Sequence, residues 1–236
     1  MQQDCTDAVI LHSMSESVNP RPTNLRAARI ADTEERIVTA ARELFVRDGY
    51  AATTLTAVAD AARVGHRTIY VRFDTKADLL KRVVDVAIVG DTQLIDLHSR
   101  DWYQQALGAP TLAERLDRLA HGAAALMARA GDVFAVGQQA EPVEPVIAEA
   151  ARAGRAATRD SLRTFFTKLH TDRLIPASVD LDWLCDTAGV LAHNQTYLLI
   201  RETLRWEPDQ YRDWLSTTWK RLITAASAPT DSPPEE

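Results

Sequence analysis

The stretch Thr53–Leu80, TTLTAVADAARVGHRTIYVRFDTKADLL, restricts the folding of this chain more than any other. Thr54 is placed to cap a helix. Leu55, Val58, Ala59 and Ala62 then fall at i, i+3, i+4 and i+7, which is one helix face. Arg63-Val64-Gly65 reads as a turn, with Gly65 an acceptable N-cap and Val64 set to staple against Ile69. The next helix, His66 to about Arg72, buries Ile69 and Phe73. It turns His66, Arg67, Thr68, Tyr70, Val71 and Arg72 outward. A short helix with a basic, hydroxylated and aromatic free face suits a major groove lined with base edges and phosphates.

The flanks extend the pattern. Upstream stands RIVTAARELFVRDGYAATTL and downstream YVRFDTKADLL. An A-x-x-L-F helix, then G-Y-x-x-T-T, A-x-x-A-x-V and T-x-Y-x-x-F-x-x-K-x-x-L resembles the DNA-binding domain of TetR-family transcriptional regulators, over roughly residues 33–89. Two positions depart from that pattern. Arg63 stands where the family usually has Gly, and Gly65 where it usually has a Ser or Thr cap. Both lie beside the expected groove, so the resemblance implies the fold and leaves the operator sequence open. DNA contact is expected from Thr54, Arg63, His66, Arg67, Thr68, Tyr70, Val71, Arg72 and Lys76. Among these, Arg67 and Arg72 would meet bases or phosphates, His66 and Val71 base edges, and Thr54, Tyr70 and Lys76 phosphates.

Charge distribution sharpens this reading. The net charge of −6 alone argues against nucleic acid. Residues 21–82, however, carry 12 Lys/Arg against 8 Asp/Glu, while residues 83–236 carry 15 against 22. The basic part coincides with the two short helices, and an acidic remainder keeps the rest of the chain off a duplex. With 46% hydrophobic and 25% charged residues the composition is that of a soluble globular protein. No apolar run reaches the ~18 residues of a membrane span. The N-terminus lacks the basic-then-apolar pattern of a signal peptide. Cys5 and Cys185 are the only cysteines, so no disulfide framework is expected and a cytoplasmic location fits.

The remaining chain reads as helix throughout, giving an all-α expectation. Residues 1–31, broken by NPRPTN, are read as a flexible arm, with Met14 a possible alternative start. Arg21, Arg26 and Arg29 of this arm either follow the DNA backbone or the minor groove, or stay solvated. A DNA-binding domain covers 32–80, with its motif about 54–73. Its first helix starts at Asp32 and ends at Gly49, with Ile37, Ala40, Ala41, Leu44 and Phe45 inward. Thr75 and Asp78 cap a fourth helix reaching about Leu97. A helical ligand-binding and dimerisation domain covers 81–226. Within it Ser99–Pro110 is read as a loop or broken segment, Leu112 to near Gly131 as a helix, Asp132–Gln139 as a short segment, and Val143–Thr171 as a long helix. Helices then start at Asp180, running through 204 as one, and at Asp209. The tail 227–236, SAPTDSPPEE, is Pro-rich and acidic, as disordered segments are.

The resemblance implies a homodimer whose last two long helices pair with their twins. The 181–204 run is apolar on more than one side, which fits burial on both. Leu191, Gln195, Leu198, Trp214, Leu215 and Leu222 are the expected contacts; burial within one chain is the alternative. No H-x-x-x-H, C-x-x-C, H-E-x-x-H or G-x-S-x-G occurs, so neither metal, cofactor nor catalysis is expected. Cys185 reads as a small buried hydrophobe. A cavity in a helical bundle is apolar with a few placed polar groups. His121, Phe134, Phe165, His193, Asn194 and Tyr197 are candidates to line one, and His193-Asn194 interrupts an apolar run. Trp102 is a lid or a surface aromatic. The expectation is a repressor, dimeric on a palindromic double-stranded operator, released by a small hydrophobic effector. An activator or effector-independent repressor is the alternative, and a helical-bundle enzyme a remote one.

Overall fold

The structure, a computed structural model, describes residues 21–89 and 101–227. Ten helices and no strand occur among the described residues: α1 (Arg21–Ala52), α2 (Leu55–Ala61), α3 (His66–Arg72), α4 (Lys76–Val89), α5 (Asp101–Leu107), α6 (Leu112–Ala140), α7 (Pro145–Thr171), α8 (Leu181–Ala192), α9 (Asn194–Leu204) and α10 (Pro208–Ala226). The protein is therefore all-α, with the helix-turn-helix at its N-terminal end.

The first helix begins at Arg21 rather than Asp32, so the expected arm is helical from Arg21 onward. Pro22 has φ preset for a first turn, and LRAARIA after it is rich in strong helix formers. Residues 1–20 and the side chains of Arg21 and Arg26 lie outside the described part, and Arg29 is exposed. Gly49 stops the first helical run as expected, with a non-helical φ of 81° in the region that favours glycine, and a short turn then continues α1 to Ala52. The fourth helix is capped by Thr75, whose Oγ1 accepts from Asp78 N at 3.0 Å while Asp78 Oδ2 accepts from Thr75 N at 3.1 Å. Its expected end near Leu97 and the tail beyond Ser227 fall outside the described residues.

Two apolar cores follow. The first gathers Ile37, Ala41, Leu44 and Phe45 of α1, Leu55, Val58 and Ala59 of α2, Ile69 of α3, and Leu79, Leu80, Val83 and Ala87 of α4. Helices as short as α2 and α3 are marginal alone, so this burial is what holds them. The same core takes in Ala130, Val133, Val136 and Ala140 of α6 and Ile147 of α7. Packing is thus continuous across residue 80, where the sequence reading placed a boundary. The second core is built on Phe165, Phe166, Leu169, Leu184, Tyr211, Leu215 and Trp219, with Tyr103 and Leu116 beside them.

Several expectations are corrected here. Of Ser99–Pro110, expected as a loop or broken segment, Asp101–Leu107 forms the helix α5, which buries Tyr103 and Ala106. Trp102 is not a lid. Its ring lies against Gly122 of α6, where an added Cβ would stand 2.2 Å from Cε3. α6 does not end at Gly131 but runs on to Ala140, absorbing the expected short segment. Gly131 is small because Tyr197 packs on it, 2.9 Å from where a Cβ would be. The 181–204 run is two helices. His193 is extended (φ −72°, ψ 148°) and caps α9, its Nδ1 accepting from Gln195 N at 3.3 Å. A single stripe through 204 is therefore broken at His193.

Candidate nucleic-acid interface

The helix-turn-helix is built as its sequence suggests. Thr54 Oγ1 accepts from Ala57 N at 3.1 Å and so caps α2. Gly65 caps α3 in extended conformation without a side-chain bond. In the turn, Arg63 takes φ 54°, a left-handed value that costs a non-glycine residue ~1–2 kcal/mol. Arg36 of α1 holds this turn from outside the motif. Its Nη2 donates to Ala62 O at 2.6 Å and to Arg63 O at 2.8 Å. The sequence reading missed this residue, and no local signal marks it.

Ile69 and Phe73 are buried under α3 and fix its roll. Arg67, Tyr70 and Val71 are then presented together at i, i+3 and i+4, with Tyr70 53% and Val71 72% exposed. His66 and Arg63 are also exposed, while Thr68 and Arg72 are half-buried. His66 Nε2 pairs with Asp60 Oδ1 at 2.8 Å across the turn. This contact joins α2 to the first residue of α3.

Lys76 goes elsewhere. Its Nζ donates to Tyr50 O at 2.7 Å and to Ala51 O at 3.4 Å, and it sits 4.2 Å from the Tyr50 ring centroid. The lysine closes the C-terminal end of α1, where free carbonyls attract a cation. The expected phosphate role does not match that placement. Tyr50 itself ties α1 to α6 and to the start of α7. Its hydroxyl donates to Glu144 Oε1 at 2.7 Å and its N–H to Gln139 Oε1 at 3.0 Å. Burial, then the bond to the Glu144 carboxylate, pushes the Tyr50 phenol above its ordinary range. Arg82 of α4 pairs with Glu34 of α1 at 2.8 Å and ties the same unit together.

Of the six candidate ligand-lining residues, Phe165 and Tyr197 share the second core and Phe134 packs against it. His121 is exposed on α6, Phe165 is fully buried, and Phe134 is half-buried between the cores. Tyr197 stacks edge-on against Tyr211 at 4.9 Å. His193 is half-buried, and burial, then the charge of Arg155, lowers its basicity, with Glu141 opposing. Asn194 Oδ1 is buried without a hydrogen-bond partner, as is Trp219 Nε1. Two open clefts, of about 560 and 570 Å³, run beside α7 and between α6 and α9, and none of the six lines either. Cys185 is buried, and burial raises its thiol, as read for an unreactive hydrophobe.

The expected subunit contacts are likewise redistributed. Leu215 is fully buried and Leu198 nearly so, both inside this chain's own second core. Leu191, Trp214 and Leu222 pack against that core half-buried, and Gln195 is exposed. The exposed large apolar side chains of α8 and α9 are Trp183, Val190, Leu199 and Leu204. The stripe is interrupted by the extended backbone at His193 between α8 and α9. Among the described residues no helix is long and apolar enough to cross a membrane.

Residues 37–83 match the sequence model described as bacterial regulatory proteins, tetR family. Comparison with curated proteins finds no match. Solved structures share the fold. A TetR-family regulator from Mesorhizobium loti, at 17% identity, superposes with a TM-score of 0.63 over 85% of this chain and 98% of its own. A TetR transcription regulator from Haloarcula marismortui, at 16% identity, gives 0.63 over 83% and 98%. The TetR-family regulator PfmR from Thermus thermophilus, at 19% identity, gives 0.58 over 80% and 97%. Over its helix-turn-helix, residues 37–83, the chain thus matches the tetR-family model, and its described residues share the fold of solved TetR-family transcriptional regulators.

Proposed function

We propose that the chain is a cytoplasmic homodimeric repressor that binds a palindromic operator and is released by a small hydrophobic ligand. The observation that carries the DNA part is the α3 face. Arg67, Tyr70 and Val71 are held outward together by the buried Ile69 and Phe73. Two such helices in a dimer would enter successive major grooves ~34–36 Å apart. Arg67 is assigned a bidentate contact to guanine. Tyr70, Arg63 and Thr54 are assigned to phosphates, and His66 and Val71 to base edges. Thr68 and Arg72, half-buried, are left a supporting role. The proposed subunit contact is the exposed apolar set Trp183, Val190, Leu199 and Leu204, with Gln195 beside it. Dimeric regulators of this kind need no catalytic group, and none is assigned.

The ligand part rests on Asn194 Oδ1 and Trp219 Nε1, both buried and unpaired, the latter in the second core. Unpaired buried polar atoms cost ~1–3 kcal/mol each, and a ligand bearing a matching group would relieve that cost. A second reading, a regulator without an effector, is favoured by the filling of that core with Phe165, Phe166, Tyr211 and Trp219. Selection of bound duplexes from genomic DNA tests the first part: a palindromic site in front of a gene whose expression rises on deletion supports repression. Falling expression would make the protein an activator. A thermal-shift screen of apolar and anionic metabolites, followed by operator titration, tests the second. Release by phosphorylated compounds only would refute the hydrophobic assignment, and no stabilising compound would favour the effector-free reading.

A further inference from the structure

The recognition helix opens on a histidine whose ring is tied to the preceding helix. His66 Nε2 lies 2.8 Å from Asp60 Oδ1, and the two side chains are 55% and 69% exposed. A carboxylate oxygen accepts hydrogen bonds and cannot donate them, so Nε2 must carry the hydrogen. In the uncharged imidazole this leaves Nδ1 with a free lone pair. The ring makes no other hydrogen bond among the described residues. The Asp60 contact therefore fixes which tautomer α3 presents at its first residue.

That matters because of what surrounds it. The helix HRTIYVR contains no carboxylate and no side-chain amide. Arg67 and Arg72 are donors only, suited to guanine O6 and N7 or to phosphate. Their neighbour Val71 has no polar atom. Thr68 is half-buried, and the Tyr70 hydroxyl ends a long ring suited to the groove wall. His66 Nδ1 is thus the acceptor of fixed direction at the N-terminal end of α3, the end that meets base edges in helix-turn-helix proteins. In the major groove the donors are the exocyclic amino groups, adenine N6 and cytosine N4. Guanine and thymine offer acceptors there.

We propose that His66, locked by Asp60 with its hydrogen on Nε2, accepts a hydrogen bond from adenine N6 or cytosine N4 and so specifies one base of each operator half-site. The proposal rests on the DNA-binding reading above and adds the chemistry of one position. Asp60 is a positioning residue, acting through the ring and not on the DNA.

The test is selection of bound duplexes from a random pool, at mildly alkaline pH, with the full chain as wild type, His66→Ala and Asp60→Ala. Wild type should yield a palindromic motif. His66→Ala should yield the same motif with one base pair per half-site degenerate. Its affinity for the wild-type motif should fall about three- to tenfold, and its affinity for duplexes changed at that base should stay level. Asp60→Ala should blur the same base, because a freed ring presents either nitrogen. An unchanged His66→Ala motif, or a uniform loss on all sequences, overturns the proposal. An Asp60→Ala motif as sharp as wild type overturns the locking role. A wild-type chain that selects no motif overturns instead the DNA-binding reading beneath it.

Discussion

Tyr50 offers the most discriminating perturbation of the fold, because one phenol joins the helix-turn-helix to the second half of the chain. Its hydroxyl donates to Glu144 Oε1 at 2.7 Å, and its ring is 5% exposed beneath Lys76. Tyr50→Phe keeps the ring and deletes only the hydroxyl. A hydrogen bond to a charged group contributes ~1.5–3 kcal/mol when its partner is left dry. Glu144 is half-buried, so water replaces part of the loss. We expect ~1–1.5 kcal/mol, or a fall in Tm of roughly 2–6 °C for a chain of this size. A double-mutant cycle with Glu144→Ala, by denaturant unfolding, should return a coupling energy of about 1 kcal/mol. The pH dependence follows from the sign of the shift. The folded-state Tyr50 pKa lies above the unfolded value, so its stabilisation is complete below about pH 10 and is lost as pH rises towards the folded value. Tyr211, raised by burial, contributes in the same direction. Wild-type stability should therefore fall above about pH 10, and less steeply in Tyr50→Phe. A coupling energy within ~0.5 kcal/mol of zero, with identical alkaline slopes, would refute the joint.

Arg67→Ala should weaken operator binding by ~1–3 kcal/mol and relax specificity at one base; equal affinity for operator and random DNA in wild type and variant would remove it from the reading face. Lys76→Ala should lower stability, since its Nζ holds Tyr50 O and Ala51 O, and should leave the salt dependence of DNA binding unchanged. A flattened salt slope would return Lys76 to the phosphates. Leu199→Arg, at a site 64% exposed, should give a folded monomer by light scattering with lost operator affinity, whereas Leu198→Arg, inside the core, should unfold the chain. A folded Leu199→Arg dimer would put the interface elsewhere.

How much was legible depended on whether the cause was local. The Thr54 cap, the Thr75–Asp78 pair and the Gly49 stop are settled within a few residues, and all three were read correctly. Ile69 under α3 followed from periodicity. The errors share the opposite property. Gly131 looked like a helix end because its reason, the Tyr197 ring, lies far along the chain. Trp102 looked loose because Gly122, which receives it, is on another helix. The apolar run through His193 hid a break that only the cap geometry reveals. Lys76 sits where a phosphate contact is reasonable, and nothing nearby announces the carbonyls of Tyr50 and Ala51. Leu215 and Leu198 show why an apolar stripe does not by itself tell an interface from a core: both satisfy the pattern, and both are buried in one chain.

The central claim is that two copies of this chain read one DNA site through α3. Sedimentation of the purified protein with a duplex obtained by selection measures it directly. The account predicts two chains per palindromic duplex, a site affinity well above that for random DNA, and loss of that complex with Arg67→Ala. One chain per duplex, or equal affinity for selected and random DNA, would contradict it.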